Sequence, residues 1–94
     1  MEDAKTTTLK LENPIRDTNG EVVLEELVFE PVTAEAVWDM SPQLGMGELL
    51  RLAGKLTGQP ESLIRKLSGV DVGRVIEVAR SFLAEAGLIE AQPA

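Results

Sequence analysis

The 94-residue chain contains no cysteine and no histidine. Without cysteine there are no disulfide staples and no thiolate nucleophiles, and without histidine there is no imidazole for acid–base catalysis. The two absences together remove the usual zinc ligand sets. We therefore expect no catalytic residue, no metal site and no cofactor, and a protein that is not an enzyme.

Aromatic residues are scarce, and the three rings of the chain belong to Phe29, Trp38 and Phe82. Apolar residues nevertheless make up 44% of the sequence, so aliphatic side chains must supply most of the core. A chain of this length buries only about 60–65% of the surface that its unfolded form exposes. We predict a single small domain over residues 1–94 with a thin core.

The sequence also lacks long hydrophobic runs, and it begins with the acidic stretch Met-Glu-Asp-Ala. The first feature excludes a membrane-spanning helix and the second is unlike a signal peptide, so we expect a cytoplasmic protein. The formal net charge is −7. Because this charge repels nucleic acid and anionic lipid, we expect neither as a partner.

The charge is unevenly distributed along the chain. Residues 1–47 hold ten acidic and three basic residues, whereas residues 48–94 hold six of each. The second half places acids three or four residues before bases, as on a solvated helix surface: Glu48–Arg51, Glu61–Arg65, Asp71–Arg74 and Glu77–Arg80. The excess acid of the first half either maintains solubility or steers a basic partner.

Residues 6–30 have the pattern of a β-hairpin. Two strands are predicted, Thr6–Leu11 and Glu21–Glu30, and Asn19-Gly20 between them favours a tight turn. Pro14 predicts that the first strand ends before it or lies at a sheet edge. The alternation of the second strand breaks at Glu25-Glu26. A bulge there would return Val22, Leu24, Leu27 and Phe29 to one face, and burial on both faces explains the pattern equally well.

Residues 33–87 have helical patterns. A short helix is predicted from its cap Thr33 to about Met40, a second over Gly47–Thr57 with Gly58 as its end, and a brief third after Pro60. The longest helix is predicted from a capping box at Ser68–Asp71 to Gly87, with residues 88–94 as a flexible tail. The predicted fold class is α+β: an N-terminal β-hairpin followed by three to four short-to-medium helices, packed as one small domain.

The core stripes are predicted to contain Leu9, Leu11, Leu27, Val75, Ile76, Ala79 and Leu83. Five further apolar residues fall outside these stripes or in the Gly- and Pro-broken stretch: Trp38, Met40, Met46, Leu50 and Val78. Flexible Met beside an amphipathic Trp is typical of surfaces that adapt to apolar partner helices. We predict these five as partner-binding residues, with burial in the core as the alternative.

The order of several short motifs resembles the phage tail assembly chaperones of the E-protein family, from Mu-like and related contractile-tail phages. The similar segments cover residues 6–87. They are Leu9-Lys-Leu-Glu-Asn-Pro14-Ile15, the turn at Gly20, Glu26-Leu-Val-Phe-Glu-Pro31-Val-Thr33, Leu49-Leu50, Leu56-Thr57-Gly58, Pro60, Leu67, Asp71 and Phe82-Leu83. The strand that ends in Glu-Leu-x-x-x-Pro-x-Thr and the Leu-Thr-Gly-x-Pro step are the most specific of these.

The resemblance implies a non-enzymatic role in viral tail morphogenesis. Members of this family bind the tape measure protein, keep it soluble and help to recruit tail tube subunits. They act in the host cytoplasm and are absent from the mature virion. The expected partner is thus the tape measure protein, with the tail tube protein as a second candidate. The exposed hairpin edge also leaves a homo-oligomer open.

Two other functions fit the same residues. The chain could be a structural tail component, or a small acidic protein-binding adaptor retained in a complex. It could also be an acidic decoy that mimics nucleic acid, which would need the hairpin acids aligned on an open face.

Overall fold

A β-hairpin and four helices make up the part of the chain that the computed structural model describes, residues 6–41 and 43–89. The strands are β1 (Thr7–Arg16) and β2 (Val22–Phe29), paired antiparallel. The helices are α1 (Ala34–Val37), α2 (Met46–Thr57), α3 (Glu61–Ile64) and α4 (Gly69–Glu85). The predicted α+β class, with an N-terminal hairpin followed by helices, is confirmed.

The hairpin turn is closed by an aspartate side chain. Asp17 Oδ1 accepts the main-chain N–H groups of Asn19 at 2.9 Å and Glu21 at 3.0 Å. Gly20 has a φ of +83°, which a residue with a side chain rarely adopts. The turn predicted at Asn19-Gly20 is confirmed, and its geometry follows from an aspartate that binds its own following backbone.

Strand β1 is longer than predicted and passes through Pro14 to Arg16. Lys10 pairs with Glu26 and Ile15 with Leu24, so four residues of β1 lie opposite the single residue Glu25. The irregularity is therefore real, but its extra residues belong to β1 and not to the predicted bulge in β2. The physical reason is Pro14, which has no N–H and cannot continue a regular ladder.

The irregular register turns more apolar residues to the helices than strict alternation would. Leu27 and Phe29 are buried, and Leu24 is half-buried against the core. Val22 remains exposed, so the alternative in which a bulge returns all four residues to one face is wrong for Val22. A second register shift between Ile15 and Arg16 leaves Val23 without a partner on β1 and separates Val22 from the core-facing set.

Helix ends follow the predicted caps. Thr33 Oγ1 accepts the N–H of Ala36 at 3.3 Å, and Ser68 Oγ accepts the N–H of Asp71 at 3.3 Å. Helix α2 ends at Gly58, whose φ is +71°. Helix α1 is shorter than predicted and stops at Val37. Among the described residues, no helix has both the length and the apolar character needed to cross a membrane.

The core lies between the hairpin, α2 and α4. The rings of Phe29 on β2 and Phe82 on α4 stand 5.8 Å apart and tilted by 33°. The predicted core residues are found there, since Leu11, Leu27, Val75, Ala79 and Leu83 are buried while Leu9 and Ile76 are half-buried and pack against them. Each fully buried large aliphatic or aromatic side chain contributes about 1.5–3 kcal/mol.

Asp71 departs from its predicted role in a solvated ion pair. Its side chain is 0% exposed, and its two carboxylate oxygens accept the main-chain N–H groups of Glu12 at 2.8 Å and Asn13 at 2.9 Å. The prediction is wrong because the irregular part of β1 presents two adjacent N–H groups that no strand can bind. The carboxylate of Asp71 satisfies them and so joins the hairpin to α4.

Candidate binding surface

The end of α4 determines the shape of the candidate surface. Gly87 has a φ of +77°, and the N–H of Leu88 donates to the carbonyl of Leu83 at 2.9 Å. This hydrogen bond from the second residue past the cap is the hallmark of a Schellman motif. The motif folds the chain back and brings Leu88 over Leu83. Residues 90–94 of the predicted flexible tail lie outside the described residues.

The opposite wall comes from the connection between α1 and α2. The N–H of Met40 donates to the carbonyl of Val37 at 3.1 Å, and Ser41 Oγ accepts the N–H of Gln43 at 3.1 Å. These short-range bonds hold a stretch that has no helix of its own. They place Leu44 and Met40 beside the end of α4.

Between the two walls lies an open groove of about 250 Å³. Six of its lining side chains are apolar and one is a serine: Val37, Met40, Ser41, Leu44, Leu83, Leu88 and Ile89. The volume is below the range of about 300–1,000 Å³ that is usual for small-molecule sites. An apolar groove of this size can accept apolar side chains of another chain. We call it the α4 groove.

The other surface depressions are more polar or lie elsewhere. One of about 530 Å³ beside Trp38 is bordered by Glu35, Asp39 and Lys55. Lys55 Nζ donates to the carbonyl of Ala36 at 3.4 Å. A charged and open depression of this kind cannot exclude water, so it provides little apolar binding energy.

The structure distributes the five predicted partner-binding residues over the surface. Met40 lines the α4 groove, and Trp38, which is 78% exposed, lines the charged depression. Leu50 is half-buried at a depression between α2 and α3, and Val78 is half-buried at one between α4 and the start of β1. Met46, at the first position of α2, is 69% exposed. Their partner-binding role stays a prediction.

Sequence reasoning missed most of the groove. Val37, Leu44, Leu88 and Ile89 were not among the predicted binding residues. One available signal was the Gly-Leu step at residues 87–88, because a glycine that ends a helix is commonly followed by an apolar residue that packs back onto the last turn.

Among the described residues, the carboxylates of Glu61 and Asp71 have shifted pKa values, and neither lies in the groove. The Arg51 hydrogen bond, at 3.1 Å, and the Arg65 charge, at 3.6 Å, lower the pKa of the exposed Glu61. Burial by itself raises the pKa of Asp71. A larger opposite effect comes from the main-chain N–H groups of Glu12 and Asn13, the Ser68 hydroxyl and the Arg74 guanidinium, which stabilise the carboxylate. The Asp71 pKa thus lies below its ordinary value of 3.8.

The ion pairs of the described residues only partly follow the predicted helix pairs. Glu61–Arg65 and Asp71–Arg74 form, at 3.6 and 3.4 Å. Arg51 pairs with Glu61 across α2 and α3 and not with Glu48. In residues 6–41 and 43–89, no cluster of acidic side chains has the arrangement of a metal site. Every buried side-chain nitrogen and oxygen there has a hydrogen-bond partner.

No protein-family model, curated protein or solved structure matches this chain.

Proposed function

We propose that this protein is a phage or prophage tail assembly chaperone that binds the tape measure protein, keeps it soluble and promotes tail tube assembly. The observation that carries the proposal is the α4 groove, an apolar and open site on a strongly acidic chain. The resemblance of residues 6–87 to the E-protein family supplies the identity of the partner. On this proposal the protein acts in the host cytoplasm and is absent from the finished particle.

The groove suits an amphipathic helix. In helix-in-groove recognition, apolar side chains on one face of a partner helix enter an apolar groove. Leu83 and Leu88 form one side of the α4 groove, while Val37, Met40 and Leu44 form the other. A tape measure protein with long apolar helical faces offers many such side chains.

Two exposed side chains extend the apolar character of this segment. Trp38 directly follows the groove residue Val37, and Met46 lies two positions after Leu44. Both side chains are large, apolar and more than two-thirds exposed. Neither side chain lines the α4 groove, and both are among the residues predicted to bind a partner.

The net charge of −7 complements this surface. Apolar area supplies the affinity for an aggregation-prone helix, and like charge keeps the resulting complexes apart in solution. A small acidic domain that covers apolar faces would therefore raise the solubility of its partner. This is the physical task of a tape measure chaperone.

The test is co-expression with the tape measure protein of the same gene cluster. Wild-type protein should shift the tape measure protein from the pellet to the supernatant. Leu88→Asp puts a charge at the groove and should abolish the shift. The control is Val70→Asp, because Val70 on α4 is 61% exposed, lies outside the groove and gives the same change in net charge.

Three outcomes decide between the alternatives. A tape measure protein that is equally insoluble with and without the wild-type chain rules the chaperone role out. If L88D and V70D solubilise the tape measure protein equally well, the binding site does not lie in the α4 groove. Mass spectrometry of purified particles should find the protein depleted, and a stoichiometric amount there would instead indicate a structural tail component.

A further inference from the structure

The outer edge of β2 differs from that of β1. On β1, the carbonyl of Lys10 accepts Arg74 Nη1 at 2.9 Å, and the N–H groups of Glu12 and Asn13 bind Asp71. Helix α4 therefore occupies the β1 edge. Within residues 6–41 and 43–89, the main chain of Val22–Phe29 has no hydrogen bond outside the hairpin. The β2 edge is therefore open from Val22 to Phe29, and it ends where the N–H of Glu30 donates to the carbonyl of Leu56 on α2 at 2.9 Å.

The direction of the Lys10 carbonyl shows which groups this edge presents. Along an antiparallel strand, one residue directs both its N–H and its C=O toward the partner strand, and the next residue directs both away from it. Lys10 turns its carbonyl toward α4, so its partner Glu26 turns its own N–H and C=O away from β1. Val28, two residues on, does the same. An added strand would bind the main chain of these two residues.

The side chains along this edge have a distinctive chemistry. Residues 21–30 contain four glutamates and no basic residue: Glu21, Glu25, Glu26 and Glu30. Glu26 has no ion-pair partner within 4.0 Å among the described residues, although Lys10 lies across from it. Val28 beside it is 40% exposed. The edge thus combines an excess of negative charge with exposed β-branched side chains.

The charge decides which strand fits. A second copy that paired along β2 would bring its glutamates against the same glutamates, and like charges on adjacent strands are destabilising. The acids therefore keep copies of this chain apart, as charged edge strands commonly do. A basic strand would gain from the same charges.

We propose that the β2 edge binds an extended segment of a partner protein in which basic and apolar side chains alternate. The segment adds as a third strand, with its basic residues on the exposed face beside Glu26 and Val28 and its apolar residues on the opposite face beside Leu27. Main-chain hydrogen bonds supply affinity and the side chains supply selectivity, as in other strand-addition complexes. The proposal does not rest on the chaperone role, because the β2 edge and the α4 groove share no lining residue.

The experiment uses three synthetic peptides of equal length with the full-length protein. The first alternates lysine and valine, the second replaces each lysine by glutamate, and the third keeps the composition of the first but has prolines in its centre. Binding is followed by amide resonances in a ¹⁵N–¹H correlation spectrum. Only the first peptide should bind, and the largest shifts should fall on Glu26, Val28 and their neighbours on β2.

Two charge variants distinguish a local effect of charge at the β2 edge from an effect of the net charge of the protein. Glu26→Lys should weaken binding of the lysine–valine peptide about tenfold, because attraction becomes repulsion. Glu77→Lys, at an exposed position on α4, changes net charge equally and should alter the affinity by at most about twofold.

Several results would overturn the proposal. Equal binding of the proline-containing peptide would mean that charge alone is recognised. Shifts confined to the α4 groove would place the peptide elsewhere, and equal effects of E26K and E77K would remove the role of the edge. A concentration-dependent dimer with β2 at its interface would make a second copy the occupant.

Discussion

The carboxylate of Asp71 accepts the main-chain N–H of Asn13 at 2.9 Å, although the two residues are 58 positions apart in the sequence. Its other oxygen accepts the N–H of Glu12 at 2.8 Å. One buried side chain thereby closes the gap that Pro14 leaves in the hairpin and fixes the hairpin on α4. The hairpin and the helices depend on each other through this contact.

Replacing Asp71 should reduce stability more than any exposed charge change. Asp71→Asn keeps the volume but presents an amide NH₂ group to one of two N–H donors, so one donor loses its acceptor. We expect a loss of about 2–4 kcal/mol in the free energy of unfolding. Urea denaturation measures it. Asp17→Asn is the control, because an asparagine also supports the exposed turn there, and it should cost at most about 0.5 kcal/mol.

Stability should fall in acid, and Asp71 should contribute to the fall. Its folded pKa lies below the ordinary value of 3.8, so the unfolded chain binds the proton more readily. The contribution of Asp71 is complete above roughly pH 5 and is lost as the pH falls through 3.8 toward the folded pKa. Urea midpoints across this range should fall less steeply in D71N than in the wild type. Equal slopes would contradict the role of the carboxylate.

The sequence predicts local structure well where single residues dictate it. Gly58 and Gly87 end helices, Thr33 and Ser68 begin them, and Asn19-Gly20 makes the turn, because each effect acts within a few residues. Leu49, Leu52, Ala53 and Leu56 on α2 follow the spacing i, i+3, i+4 and i+7 of one helix face, and all four are buried. These features fix the fold class.

Long-range relationships were not predictable in the same way. Asp71 lies at the last position of a capping box, where an acidic residue is usually exposed. Nothing in the sequence pattern therefore distinguishes it from a surface acid. Its burial depends on the irregular part of β1, which itself depends on Pro14. The α4 groove combines residues 37–44 with residues 83–89, and only the folded chain brings these segments together.

Two helical glycines should respond oppositely to alanine. At Gly73 on α4, an added Cβ meets nothing within 4 Å, so Gly73→Ala should stabilise the protein by about 0.5–1 kcal/mol. At Gly54 on α2, the Cβ would lie 3.2 Å from the main-chain oxygen of Gln59. The N–H of Gln59 donates to the carbonyl of Gly54 at 3.0 Å, which restrains the loop.

Gly54→Ala should therefore be at least about 1 kcal/mol less stable than Gly73→Ala. Thermal unfolding of the two variants and the wild type measures both effects. Equal stabilisation by both substitutions would show that the loop at Gln59 yields without cost.

Trp38 allows a direct optical test of exposure because it is the sole tryptophan of the chain. With 78% of its surface accessible, its fluorescence should have the maximum of a hydrated indole and should be readily quenched by acrylamide. Trp38→Phe should change stability by less than about 0.5 kcal/mol. Phe82→Ala, which removes a buried ring, should cost about 3–5 kcal/mol. A blue-shifted, protected emission from the free protein would contradict the exposed position.

The glycine after α4 links helix termination to binding. Gly87→Ala imposes a side chain at a φ of +77° and should cost about 1–2 kcal/mol. Because the same turn brings Leu88 over Leu83, the substitution should also deform the α4 groove and reduce solubilisation of the tape measure protein. Gly58→Ala is the matched control, since Gly58 ends α2 with a φ of +71° and does not line the groove. It should cost similar stability but leave solubilisation unchanged. Comparable loss of solubilisation in both variants would mean that overall stability, and not the shape of the groove, determines binding.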